Sequence, residues 1–317
     1  TFKHEMDDAF WKCRTPDYSK IKVPLLSAGN WGGQGLHLRG NIEGFLNAGS
    51  EHKWLEMHGI EHWTHFYTDY GRALQKRFFD HFLKGEKNDW LEQPKVYLNI
   101  RHPGEIFKPR AETAWPLPST QWTKMHLNAA SVTLESKAGA ADTSITYRGL
   151  GEGTTFLTTP LDQEMELTGP LAAKLFVSSS TVDADLFLIV RMFDPNMKEV
   201  TFQGALDPNT PVAQGWLRAS HRALDPEKTL PYRPYHPHQK KELLTPNEVY
   251  ELDIEILPTS IVIPAGYRIA LTVRGKDYVY PGATGAKLSN MRYPFTGVGP
   301  FTHNHPKDRP LEIFDGQ

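Results

Sequence analysis

The chain has 317 residues, long enough for about two domains, and 35 Lys and Arg against 37 Asp and Glu leave a formal charge of -2. That near-balance, with no Lys/Arg stripe, argues against a nucleic-acid partner, and no apolar run approaches the roughly 20 residues of a membrane span. Cys13 is the only cysteine, so an intrachain disulfide and a cysteine-based zinc or iron–sulfur site are excluded.

The opening Thr1-Phe-Lys-His-Glu-Met6 has neither a basic segment nor an apolar h-region. It reads as a chain entered in mid-sequence, with any address signal upstream. Lys22 to Ala28 is a short buried-strand candidate, followed by the glycine-rich Gly29-Asn-Trp-Gly-Gly-Gln-Gly35. His37 to Ala48 predicts a helix, with Leu38, Ile42 and Phe45 on one face and Gly49 as terminator. Trp54 to Met57 is a second strand. Phe66 to Lys84 predicts one long helix through Tyr67, Tyr70, Leu74, Phe78 and Phe82, capped by Gly85. Strand, helix, strand, helix is the signature of a parallel sheet covered by helices.

Residues 86–115 read as a connector. Beyond Pro116 short strands recur: Lys124–Asn128, Ser131–Glu135, Leu171–Ser178, Leu186–Phe193, Lys198–Gln203, Trp216–Ala219, Val249–Ile256 and Tyr267–Arg274. Turns such as Asp194-Pro-Asn and Asp207-Pro-Asn separate them, which predicts an antiparallel sandwich, most simply a jelly roll. Pro231 to His238 reads as a rigid aromatic loop rather than a metal site. Two strands cannot make a stable parallel sheet by themselves. The first half therefore calls for further strands, from upstream sequence or another chain.

The densest chemistry is His58-Gly-Ile-Glu-His62-Trp-Thr-His65. One reading is H-x-x-E-H, two imidazoles on one helical face holding zinc beside Glu61. Gly59 and the strand before it oppose a helix there. The other reading makes His62 a catalytic histidine on the loop after a strand, as in serine hydrolases of the α/β type, where the order is Ser, acid, His. A structural loop histidine competes with both, and His58 and His65 are structural by default. No G-x-S-x-G occurs in the chain, so the nucleophile of such an enzyme lies upstream of Thr1. Cys13 reads as an inert packing residue.

Val23-Pro-Leu-Leu-Ser-Ala-Gly-Asn-Trp31, Trp54-Leu-Glu-Met-His-Gly-Ile-Glu-His62 and Gln75-Lys-Arg-Phe-Phe-Asp-His-Phe-Leu-Lys-Gly85 resemble the end of the hydrolase domain in the X-Pro dipeptidyl-peptidase and cocaine-esterase-like (CocE/NonD) family. Leu167-Thr-Gly-Pro170, Asp183-Ala-Asp185, Gly215 to Arg222 and Pro264 to Leu271 resemble that family's C-terminal jelly-roll domain. The resemblance implies residues 1–112 as the last part of an α/β-hydrolase domain and 113–317 as a β-sandwich (jelly-roll, galactose-binding-like) domain.

It also implies hydrolysis of small-molecule ester, amide or peptide substrates by a Ser-His-acid triad without cofactor or metal. The family's histidine falls on His62. Its acid is expected in a Gly-x-Trp-x-Asp turn, where this sequence has Gly33. Glu43 and Glu61 are the candidate substitutes. The implied partner is the missing N-terminal hydrolase segment, upstream or on a separate chain; with the acid position altered, a degenerate hydrolase with a binding sandwich is the alternative. Trp31 and Trp63 flank the site and read either as acyl-pocket walls or as core.

Overall fold

Side chains alternate between the two faces of a strand. In Trp54-Leu-Glu-Met-His58 that alternation separates Leu55 and Met57 from Trp54, Glu56 and His58. Helices cover both faces. The computed structural model describes residues 4–61, 63–139, 143–205 and 207–281, and the backbone pairing of 310–314.

After a short α1 (Ala9–Lys12), β1 (Leu25–Asn30) leads to α2 (Leu38–Asn47) and β2 (Lys53–His58) to α3 (Thr64–Tyr67) and α4 (Asp69–Lys84). β1 and β2 run parallel, from Leu25 opposite Lys53 to Asn30 opposite His58. α2 sets Leu38, Ile42 and Phe45 against Leu55, Met57 and Trp31 on one face. α4 sets Phe78, with Leu74 and Phe82, against Trp54 and Trp90 on the other. Buried aliphatic and aromatic side chains of this kind stabilise by about 1.5–3 kcal/mol each.

The single helix expected over 66–84 is two. Thr68 is extended (φ -65°, ψ 161°), and its hydroxyl accepts from Gly71 N, capping α4. Gly71 lets the two helices close up, since a Cβ there would meet His65 O at 2.1 Å. Gly85 ends α4 in the left-handed conformation that glycine favours.

The expected connector instead contains β3 (Val96–His102) and β4 (Ile106–Glu112), an antiparallel hairpin. β3 pairs parallel with β2 and so extends the sheet. The remaining strands are β5 (His126–Asn128), β6 (Thr133–Glu135), β7 (Ser144–Arg148), β8 (Thr154–Leu157), β9 (Met165–Ser179), β10 (Asp185–Phe193), β11 (Glu199–Val200), β12 (Ala213–Arg218), β13 (Tyr250–Ile263), β14 (Arg268–Arg274) and β15 (Pro310–Phe314).

Their pairing is mostly antiparallel, along β13-β12-β10-β14-β8, with β9 along β13 and β15 on β9 and β7. β13 also meets β3 at Ile261 and Arg101, so one hydrogen-bonded sheet runs from β1 into the antiparallel half. That half closes over Leu175, Val177, Leu186, Leu188, Ile254 and Val273. Among the described residues β1 pairs only with β2, leaving its other edge open. No helix of the described residues is long and apolar enough to cross a membrane.

Candidate active site

The carboxyl ends of β1 and β2 lie side by side, and each opens into an irregular loop. Asn30, the last residue of β1, fastens the two loops together. Its Nδ2 donates to Gly59 O at 3.1 Å and to Ile60 O, while its Oδ1 accepts from Gly32 N at 2.7 Å. The loop after β2 is tightly built. A Cβ on Gly59 would lie 1.9 Å from Phe107 of β4, and Ile60 adopts φ 60°, a left-handed conformation that strains a β-branched residue. Glu61 is 6% exposed and accepts from Thr64 Oγ1 at 2.5 Å. His62 lies outside the described residues.

His58 ends a strand, and residues 59–61 form no helix; the first helical residue is Thr64. The H-x-x-E-H reading needs His58 on a helical face, so the structure removes its premise.

The expected acid position is filled by other atoms. A Cβ on Gly33 would fall 2.6 Å from His37 Cε1 and 2.8 Å from its Nδ1. Of the two substitute acids, Glu43 is engaged elsewhere, its carboxylate paired with Arg233 and accepting from Asn47. Glu61 sits in the loop, adjacent in sequence to His62. Trp31 is 0% exposed, packs near Trp115 and donates to Asn99 O at 3.0 Å; it is core rather than pocket wall. Trp63 is partly exposed.

A carboxylate the sequence reading passed over lies beneath this loop. Glu56 of β2 is 2% exposed. His58 Nδ1 donates to its Oε2 at 2.7 Å, and Asn99 Nδ2 donates to its Oε1 at 3.1 Å. His65 Nε2 stands 3.2 Å from Oε1, the longer and less well aligned contact. Burial pushes the Glu56 carboxyl up, but the hydrogen bonds and charges of His58 and His65 outweigh it and hold it below the usual carboxylate range. An ionised carboxylate only accepts, which assigns the proton of that bond to His58 Nδ1. Burial, then the Glu56 charge, pushes the Tyr70 hydroxyl up.

The three donor atoms of Glu56, His58 and His65 lie within 4.8 Å of one another, close enough to suggest a metal site. The rings argue against it. They stack at 3.9 Å and 12°, so each nitrogen lone pair stays in its own plane. An ion about 2 Å from both nitrogens would stand well out of both planes. The arrangement fits a hydrogen-bonded carboxylate. Its sequence signal was a glutamate inside an otherwise apolar strand, two residues before a histidine and hence on its face.

The antiparallel half reaches this end of the sheet. Gln34 donates to Pro211 O and Val212 O at 3.2 and 3.3 Å and accepts from Gln214 at 3.0 Å. Ala205 N donates to Gly32 O at 3.1 Å.

Residues 88–290 match the family described as the X-Pro dipeptidyl-peptidase C-terminal non-catalytic domain. Along the whole chain the structure resembles a CocE/NonD family hydrolase from Staphylococcus aureus, at 34% identity and TM-score 0.90, covering 100% of this chain and 56% of that one. Cocaine esterase of a Rhodococcus species is 25% identical over 245 residues, 65% of this chain and 38% of that protein. An aminopeptidase from a Thaumarchaeota archaeon shares the fold at 15% identity and TM-score 0.70, covering 99% of this chain and 57% of that one. The chain belongs to the X-Pro dipeptidyl-peptidase and cocaine-esterase-like (CocE/NonD) family and corresponds to its C-terminal portion. It spans only 38% of the esterase and 56% of the staphylococcal hydrolase.

Proposed function

We propose that this chain is the C-terminal part of a serine hydrolase acting on ester or amide bonds, peptides of the X-Pro type included. In this reading residues 1–112 complete an α/β-hydrolase sheet, whose further strands add at the open edge of β1. Residues 113–317 form a jelly-roll domain walling the active site. The observation that carries it is the parallel β1–β2 pair, whose adjoining loops Asn30 pins at one end of the sheet. That is where acid and histidine belong in an α/β-hydrolase.

His62 acts as general base, taking the proton of a serine supplied by the rest of the protein and returning it to the leaving group. Glu61 is the acid best placed in sequence to hold that imidazole. In the complete protein, His62→Ala should lower turnover of an activated ester by about 10⁴-fold. Glu61→Gln should approach that loss, while Glu43→Gln leaves turnover unchanged. Exhaustive chelation should leave activity intact; loss restored by zinc would reinstate a metal mechanism. Wild-type turnover in a folded His62→Ala protein overturns the assignment.

The crowding of Gly33 by His37 favours one alternative, a hydrolase fold that has lost its acid and binds without turnover. Failure of the complete protein to hydrolyse activated esters and X-Pro peptides, with retained binding, would select it.

A further inference from the structure

The loop that carries His62 begins at His58 and ends at His65, and both imidazoles converge on one buried carboxylate. We propose that Glu56 is a positioning residue for the catalytic histidine loop, clamping its entry through His58 and its exit through His65; this rests on the assignment of His62 as the base.

Three observations support the clamp. Glu56 does not move with the loop, because it belongs to β2, paired on both sides by β1 and β3, and Asn99 of β3 fixes its second oxygen. His58 and His65 are stacked, so the two ends of the loop hold each other at 3.9 Å, with His58 bonded to the carboxylate and His65 Nε2 in contact with it at 3.2 Å. The segment between them needs holding. Ile60 sits at φ 60°, a conformation that costs about 1–3 kcal/mol and persists only where its surroundings enforce it. Asn30 grips the same segment from β1.

Around the clamp, Tyr70 of α4 packs on His65 and on Tyr97 of β3, which surrounds the carboxylate with aromatic surface. With one carboxylate oxygen replaced by an amide nitrogen, which donates rather than accepts, His58 and His65 no longer both face an acceptor, and the loop is free to leave its strained form. Displacing a catalytic group by about 1 Å can cost 10²-fold in rate.

The test uses the complete enzyme and an activated ester, with His62→Ala in parallel. Glu56→Gln should lower kcat by about 10- to 100-fold with KM changed less than twofold. It should also shift the acidic limb of the kcat/KM pH profile, because the imidazole is no longer held in one orientation. Wild-type kcat and pH profile in Glu56→Gln, with His62→Ala inactive, would overturn the clamp while leaving the base assignment standing. An active His62→Ala enzyme would instead remove the assignment itself. If Glu56→Gln does not fold, His65→Phe decides. It keeps a ring on His58 and removes the polar contact with the carboxylate. A several-fold fall in kcat at unchanged Tm supports the clamp, and wild-type kcat overturns it.

Discussion

Gly32 and Gly204 meet backbone to backbone: a Cβ on Gly32 would lie 2.3 Å from Gly204 Cα. Gly32 belongs to the loop after β1 and Gly204 to the segment between β11 and β12. The loop after β1 is therefore seated directly on the antiparallel half. Gln34 adds side-chain bonds to Val212 and Gln214 at the same seam. The proposed wall over an active site requires the two halves to be fixed relative to each other, and this contact supplies such a seam.

A single methyl should disturb that seam. Gly32→Ala is expected to destabilise the chain by about 1–3 kcal/mol through overpacking against backbone that cannot yield. Gly40 in α2 makes the control, as nothing lies within 4 Å of a Cβ there. Gly40→Ala should stabilise by about 0.5–1 kcal/mol, the ordinary helix preference of alanine over glycine. Denaturant midpoints of both variants check the contrast. Equal shifts would show that the Gly32–Gly204 contact is not close-packed.

Much of this was legible in the sequence because it was written in periodicity. Leu38, Ile42 and Phe45 mark one face of α2, and Gly85 marks the end of α4. The split at Thr68 was not legible, since Tyr67 and Tyr70 keep helical spacing through it and only the hydroxyl's bond to Gly71 reveals the new cap. β3 and β4 were missed because Lys95, Arg101, Lys108 and Arg110 make the segment look like a charged surface; yet Arg101 is buried, its charge hidden by tertiary contacts. At the site, the order of strands and the place of the loops could be read. Glu56 could not be assigned, because its partner His65 comes from a different element and the contact exists only after folding.

Arg101 is 1% exposed and, among the described residues, forms no ion pair with a carboxylate. Its Nε donates to Ser260 O at 3.1 Å, its Nη2 to Val212 O at 2.9 Å and to Thr259 Oγ1, and the guanidinium lies 4.7 Å from the Phe202 ring centre. Burial pushes its pKa down to about 10. Arg101 thus knits β3, β13 and the approach to β12 through a planar fork that lysine cannot reproduce. Arg101→Lys and Arg101→Met should each lower stability by about 2–4 kcal/mol, since both leave buried acceptors unsatisfied. Wild-type stability in Arg101→Lys would show that charge alone suffices.

Arg110 of β4 grips Glu166 of β9 with two bonds of 2.8 Å. Burial pushes the Glu166 carboxyl up, but the bonds from Arg110 and Thr168 and the Arg110 charge outweigh it, leaving it below the usual range. A carboxyl with a lowered folded pKa contributes stability above its unfolded pKa of about 4.3 and loses it as pH falls through the folded value. The pair is about one-third exposed, so solvent limits the effect to at most about 1 kcal/mol. Glu166→Gln should therefore lower Tm at pH 7, and the gap to wild type should close below about pH 4. A gap that persists at pH 3 would assign the effect to packing.

Restoring an aspartate at position 33 should not improve catalysis in the complete enzyme. His37 occupies the space a side chain would need, 2.6 Å from the ideal Cβ, and Asn30 O lies 3.1 Å from it. Gly33 also holds the turn through Gly33 N to Asn30 O and His37 N to Gly33 O, at 2.9 and 3.1 Å. Gly33→Asp must push the His37 ring aside or open that turn, and either movement displaces the loop that Asn30 ties to the His62 segment. Turnover of an activated ester should fall at least tenfold, with a loss of stability of about 1–3 kcal/mol from overpacking. Gly33→Asp with His37→Ala removes the clash and should recover most of the stability. Activity above wild type in Gly33→Asp alone would show that the site lacks only a carboxylate there, and that His37 yields without cost.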